Sequence, residues 1–103
     1  MSSHAILGAG GVGGFVGAVL AAAGESVRLL LRPESLPGHP ETLTLESPFG
    51  HLVAPVSKGS ILEQEVDVLW VTTKATQLEA ALQLVPDPSL AGMVVPLLNG
   101  VDH

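Results

Sequence analysis

"AILGAGGVGGFVGAVLAAAG", residues 5–24, contains no charged side chain. Such a stretch suits an export signal, a membrane-spanning helix or the opening of a soluble fold. The four residues before it, Met1-Ser2-Ser3-His4, offer no Lys or Arg for a basic n-region, and no basic cluster follows Gly24. Seven of the twenty residues are glycine, and each costs about 1 kcal/mol against alanine inside a helix. Gly10/Gly14 and Gly13/Gly17 satisfy the small-xxx-small spacing of packed membrane helices, but any glycine-rich run generates that spacing. The soluble reading is preferred.

The pattern changes inside the stretch. "HAIL" (His4–Leu7) is short, apolar and stopped by glycine, as a buried strand would be. From Gly13 or Gly14 onward the residues favour a helix. Gly14, Gly17, Ala18 and Ala21 line one narrow face, with Phe15/Val19 and Val16/Leu20 as i,i+4 pairs beside it. Gly24 sits where a helix C-cap belongs. The stretch therefore reads strand, glycine turn, helix.

Further strands follow. "SVRLLL" (Ser26–Leu31) is a nearly continuous apolar run, typical of a parallel strand covered on both faces. "TLTLE" (Thr42–Glu46), the "SPFG" turn and "HLVAPV" (His51–Val56) predict a β-hairpin whose Pro55 belongs at an edge or bulge. "SILE" (Ser60–Glu63) has capping-box spacing and predicts a short helical turn. "VDVLWVT" (Val66–Thr72) is the next strand, and Trp70 within it reads as core. The capping box "TQLE" (Thr76–Glu79) opens a helix with Leu78, Leu82 and Val85 on one face, ended by Pro86. "MVVPLL" (Met93–Leu98) reads as a fourth buried strand. Strands alternating with helices predict an α/β fold with a doubly wound, mostly parallel sheet.

The 103 residues allow one domain at most, 47% apolar and only 14% charged, which leaves surface for another domain or subunit to cover. A net charge of −6 argues against nucleic acid or an anionic membrane as partner. With no cysteine, disulfides and thiolate metal sites are excluded. The four histidines are scattered without metal-ligand spacing, so no metal site is expected. A cytoplasmic location is the default.

Ligands of such sheets bind beyond the carboxyl ends of the strands. Those ends carry Gly8, Ala9, Gly10, Gly11, Val12 and Gly13, then Arg32, Lys74 and Asn99. Arg32 and Lys74 are two of only four Lys and Arg in the chain. "GAGGVG" (Gly8–Gly13) fits G-x-G-x-x-G between a strand and a helix. Gly8 allows the tight turn, Gly10 close approach of a pyrophosphate, and Gly13 close helix–strand packing. Arg32 lies where NAD-selective sites place an acid. A guanidinium there pairs with a 2′-phosphate, so NADP is expected over NAD and FAD. Glu34 could instead reach a ribose hydroxyl, and Arg32 could be an ordinary surface arginine. Lys74, with Gln77 three residues on, could meet a cofactor phosphate, the nicotinamide or a substrate carboxylate, or be a solvated loop lysine. Asn99, followed by Gly100, reads either as a turn former or as an amide for a carboxamide or a substrate hydroxyl.

"ILGAGGVGGFVGAVLAAAGESVRLLLRPE", "LTLESPFG", "VDVLWVTTKATQLEAAL" and "VVPLLNGV" resemble, in order and spacing, the ketopantoate reductase family (2-dehydropantoate 2-reductases). The "KATQ" at Lys74–Gln77, the "LLNGV" and the hairpin carry the resemblance more specifically than the glycines. It implies a Rossmann-type fold and NADPH-dependent reduction of 2-dehydropantoate to pantoate, toward pantothenate and coenzyme A. By position it implies that Gly8–Gly13 hold the pyrophosphate, Arg32 the 2′-phosphate and Lys74 the cofactor. Asn99 would then lie between nicotinamide and substrate. Family members run considerably longer, so residues 1–103 are expected to be the N-terminal part of the NADP-binding domain. The resemblance assigns the general acid, a lysine, to a helical domain outside these residues, so no catalytic residue is expected here. The implied partners are a small 2-keto acid and that helical domain, with a homodimer partner left open. The alternative is a stand-alone NADP-binding regulatory module without catalysis.

Overall fold

The structure, a computed structural model, describes residues 2–8, 11–33, 37–38, 42–47, 50–73 and 78–97. Its centre is β1 (Ser3–Leu7), where Ala5, Ile6 and Leu7 are fully buried. α1 (Gly11–Ala22) leads to β2 (Ser26–Leu30). The antiparallel hairpin β3 (Thr42–Ser47) and β4 (Gly50–Pro55) forms a separate two-stranded sheet that packs against α1. β5 (Ser57–Gly59), β6 (Val66–Val71), α2 (Leu78–Leu82), a 3-10 turn at Pro88–Leu90 and β7 (Ala91–Pro96) complete the described elements.

The main sheet runs β5-β2-β1-β6-β7, with every neighbouring pair parallel. It is a Rossmann-type α/β sheet whose order reverses between β1 and β6. The chain first works outward from β1 through β2 to β5, then returns to the other side of β1. The alternation along the central strand divides the core. Ile6 joins Val27, Leu29, Leu31 and Val56 under Val16, Leu20 and Ala21 of α1. Ala5 and Leu7 join Leu30, Leu62, Leu69, Val71, Ala81 and Val85 on the α2 face. Each fully buried Ile or Leu contributes about 1.5–3 kcal/mol.

The small face of α1 does what its composition predicts. Gly17 and Ala18 are buried against the sheet, and Gly24, at φ +88, ends the helix. Glu25 N–H donates to Leu20 O at 3.0 Å and Gly24 N–H to Ala21 O at 3.1 Å, a Schellman pair. The helix starts at Gly11, earlier than the pattern of side chains indicates, because glycines lend the first turn no periodicity. It has 12 residues, and no helix among the described residues is long and apolar enough to cross a membrane.

Three expectations need correction. "SILE" forms a bend and no helical turn: Leu62 is drawn into the core, and its N–H donates to Leu84 O at 2.8 Å. A tertiary bond replaces the helical one. Just before it lies β5, a strand too short and polar for any apolar pattern. The strand read as buried "MVVPLL" begins at Ala91 and is largely exposed, with Met93 at 60% and Val94 at 49%. Only β6 flanks it among the described residues. Leu82 turns outward at 46% exposure, so Ala81 and Val85 rather than Leu82 anchor α2. The cap at Thr76 lies outside the described residues.

Candidate functional site at the carboxyl rim of the sheet

The registers bring five strands level at one end. Leu7 pairs with both Leu30 and Val71, Leu30 with Gly59, and Val71 with Pro96. The ladders continue one step further: Leu31 N–H donates to Gly59 O at 2.8 Å, Thr72 N–H to Leu7 O at 3.0 Å, and Leu97 N–H to Val71 O at 2.7 Å. Gly8, Arg32, Thr72 and Thr73 therefore share the rim where the strand order reverses, which is where open α/β sheets bind ligands.

Gly8 leaves β1 at φ +96, a conformation L side chains rarely adopt. A Cβ there would come within 2.7 Å of Thr73 Cγ2 and 3.3 Å of Thr72 Oγ1. Gly13, in the first turn of α1, is packed more tightly still. A Cβ at Gly13 would overlap the carbonyl oxygen of Gly8 and approach Thr72 Oγ1 to 2.6 Å. The start of the helix is thus pressed onto the end of the central strand. Its first turn holds no acidic residue, so the positive end of the helix dipole meets no carboxylate of its own.

The Thr72 hydroxyl is within hydrogen-bond reach of two successive carbonyls, Leu7 O at 3.0 Å and Gly8 O at 2.5 Å. Thr73, 9% exposed, has a buried Oγ1 with no hydrogen-bond partner among the described residues. Buried hydroxyls are rarely left so. Neither threonine stood out among the candidate residues. The available signal was two successive hydroxyls closing the apolar run of β6, at the end of a strand neighbouring the glycine turn.

Of the sequence-derived candidates, Gly8 and Gly13 come together as expected. Gly11 and Val12 lie in the same helical turn as Gly13. Arg32 is exposed, two residues past β2. Ala9, Gly10, Lys74, Gln77 and Asn99 lie outside the described residues, as does Glu34. The carboxylates with lowered pKa sit at the other end of the sheet. The His4 side chain, then the Ser2 N–H, hold Glu25 below its ordinary range. The Ser3 N–H, then its hydroxyl, do the same for Asp67.

A family model described as ketopantoate reductase PanE/ApbA matches residues 4–103. The chain belongs to this family. Solved structures agree with the membership. A candidate ketopantoate reductase from Ralstonia solanacearum MolK2 is 33% identical at a TM-score of 0.75, with 93% of this chain and 31% of that one covered. A 2-dehydropantoate 2-reductase from Geobacter metallireducens GS-15 is 28% identical at a TM-score of 0.69, with 96% and 34% covered. A D-mandelate dehydrogenase solved with NADH and anilino(oxo)acetate is 32% identical at a TM-score of 0.71, with 98% and 34% covered. No curated protein sequence matches the chain. The chain thus spans about a third of the length of these ketopantoate reductase family structures and their dehydrogenase neighbour.

Proposed function

We propose that this chain is the NADPH-binding part of a 2-dehydropantoate 2-reductase-like oxidoreductase, one that reduces a 2-keto acid in the route to pantothenate. The observation that carries the reading is the close packing of Gly8, Gly13 and Thr72 at the switch point of the sheet. There, side chains are excluded from the end of the strand and the start of the helix. The residues fit a dinucleotide. The rim offers a cradle that a Cβ would fill, a helix start with no acid of its own, and a buried hydroxyl, Thr73 Oγ1, without a partner among the described residues.

In this reading Gly8, Ala9, Gly10, Gly11, Val12 and Gly13 hold the pyrophosphate with backbone N–H groups. Arg32 pairs with the 2′-phosphate, and Lys74 and Gln77 reach the cofactor from beyond β6. Asn99 orients the nicotinamide and the substrate carbonyl with its side-chain amide. When bound, the nicotinamide supplies a hydride from C4 to the carbonyl carbon of the 2-keto acid. The general acid is assigned to the length of the relatives that this chain does not span. The Ralstonia and Geobacter proteins support the keto-acid substrate by their descriptions, and the mandelate dehydrogenase, solved with NADH, supports a nicotinamide cofactor.

Equilibrium titration by nicotinamide fluorescence tests the reading. NADPH is expected to bind more tightly than NADH. Failure of both to bind would overturn the proposal.

A further inference from the structure

We propose that Thr72 is the positioning residue of the glycine turn, its hydroxyl setting the turn in the form that receives a pyrophosphate. The inference rests on the cofactor reading above. The backbone of Thr72 is fixed without its side chain, because its N–H already extends the β1–β6 ladder to Leu7 O at 3.0 Å. The hydroxyl is therefore free for another purpose. It lies 3.0 Å from Leu7 O and 2.5 Å from Gly8 O, the two carbonyls that bracket the residue at φ +96.

The same oxygen would stand 2.6 Å from a Cβ on Gly13. The end of β1, Gly8 and the first turn of α1 thus converge on one buried hydroxyl. A peptide unit is planar, so a hydroxyl that holds the Gly8 carbonyl also constrains the direction of the N–H that follows it in the chain. A turn whose function is to aim N–H groups depends on that setting. The methyl of Thr73 also closes on Gly8, at 2.7 Å from where a Gly8 Cβ would be. Valine at position 72 would keep the shape and the ladder bond but leave Gly8 O without its hydroxyl. Serine would keep the hydroxyl.

The test compares Thr72→Val and Thr72→Ser with the wild type in the full chain, titrated with NADPH and with adenosine 2′-monophosphate, which carries no pyrophosphate. Thr72→Val should weaken NADPH binding on the order of tenfold or more, the effect of leaving a buried acceptor unpaired, and leave adenosine 2′-monophosphate unchanged. Thr72→Ser should restore NADPH binding. Amide hydrogen exchange across residues 8–13 without ligand should be faster in Thr72→Val and near wild type in Thr72→Ser. NADPH affinity in Thr72→Val equal to wild type would overturn the proposal, as would equal loss of both ligands, which marks a general structural defect. If the wild type itself binds no NADPH, the cofactor reading fails. Hydrogen exchange then decides the role of Thr72 alone, and unchanged exchange in Thr72→Val overturns it.

Discussion

Gly13 lies so close to Gly8 that a methyl group on it would overlap the Gly8 carbonyl oxygen. The obstacle is backbone that directly follows the fully buried Leu7 of β1, and it cannot swing aside as a side-chain tip can. Gly13→Ala must therefore push the start of α1 away from the sheet. The expected destabilisation is about 1–3 kcal/mol, the usual range for overpacking, together with a loss of NADPH affinity of at least tenfold. Gly24→Ala is the control. Gly24 also has positive φ, but beyond its two chain neighbours no described atom lies within 4 Å of its Cβ position. Its cost is conformational, on the order of 1 kcal/mol, and NADPH affinity should not change. Urea unfolding and NADPH titration on both variants check the contrast.

Arg32 is exposed and has no ion pair with any described residue, so its replacement should leave stability within about 0.5 kcal/mol. Its expected effect is on ligand choice. Arg32→Ala should lose about 1.5–3 kcal/mol of NADPH binding, the range for a charge-assisted pair, and leave NADH binding nearly unchanged. Fluorescence titration of both nucleotides against both proteins measures it. Equal wild-type affinities for NADPH and NADH would remove Arg32 from the cofactor site.

The part of the site made by one short segment was legible in the sequence. Strand, glycine turn and helix are local, and the roles of Gly8 and Gly13 follow from their spacing. The contacts of Thr72 were not legible, because its hydroxyl meets Leu7 and Gly8, 65 and 64 residues away. The same reason hid the network at the other end of the sheet. His4 read as one of four scattered histidines and Trp70 as core, yet they bond across 66 residues. β5 escaped because Ser57–Gly59 has no apolar pattern; its pairing with β2 makes it a strand. Lys74, Gln77 and Asn99 rest on the sequence and the family alone.

Trp70 Nε1 donates to His4 Nδ1 at 3.0 Å, while His4 Nε2 lies 3.2 Å from Glu25 Oε1. An indole N–H can only donate, so Nδ1 accepts and the ring proton sits on Nε2, directed at the carboxylate. A neutral imidazole satisfies both partners. Trp70→Phe keeps much of the ring packing but leaves Nδ1, in a residue 6% exposed, without its donor. The expected loss is about 1–3 kcal/mol in unfolding free energy, followed by circular dichroism because Trp70 is the only tryptophan. NADPH affinity should be unchanged, since the network faces the amino end of the sheet. A parallel loss of affinity would tie the two ends of the sheet together.

Acid sensitivity should originate at that same end. Glu25 is held below its ordinary 4.5 by the His4 hydrogen bond and then the Ser2 N–H, and Asp67 below 3.8 by the Ser3 N–H and hydroxyl. The folded state therefore binds fewer protons than the unfolded chain in the acid range. The stabilisation is complete above the unfolded values and is lost as pH falls through the lower folded ones. The urea midpoint, read by Trp70 fluorescence, should be level from neutral pH to about pH 5 and decline below it. Glu25→Gln with Asp67→Asn should start from a lower midpoint at neutral pH and decline less steeply in acid. An unchanged acid slope in the double variant would show that other carboxylates govern the decline.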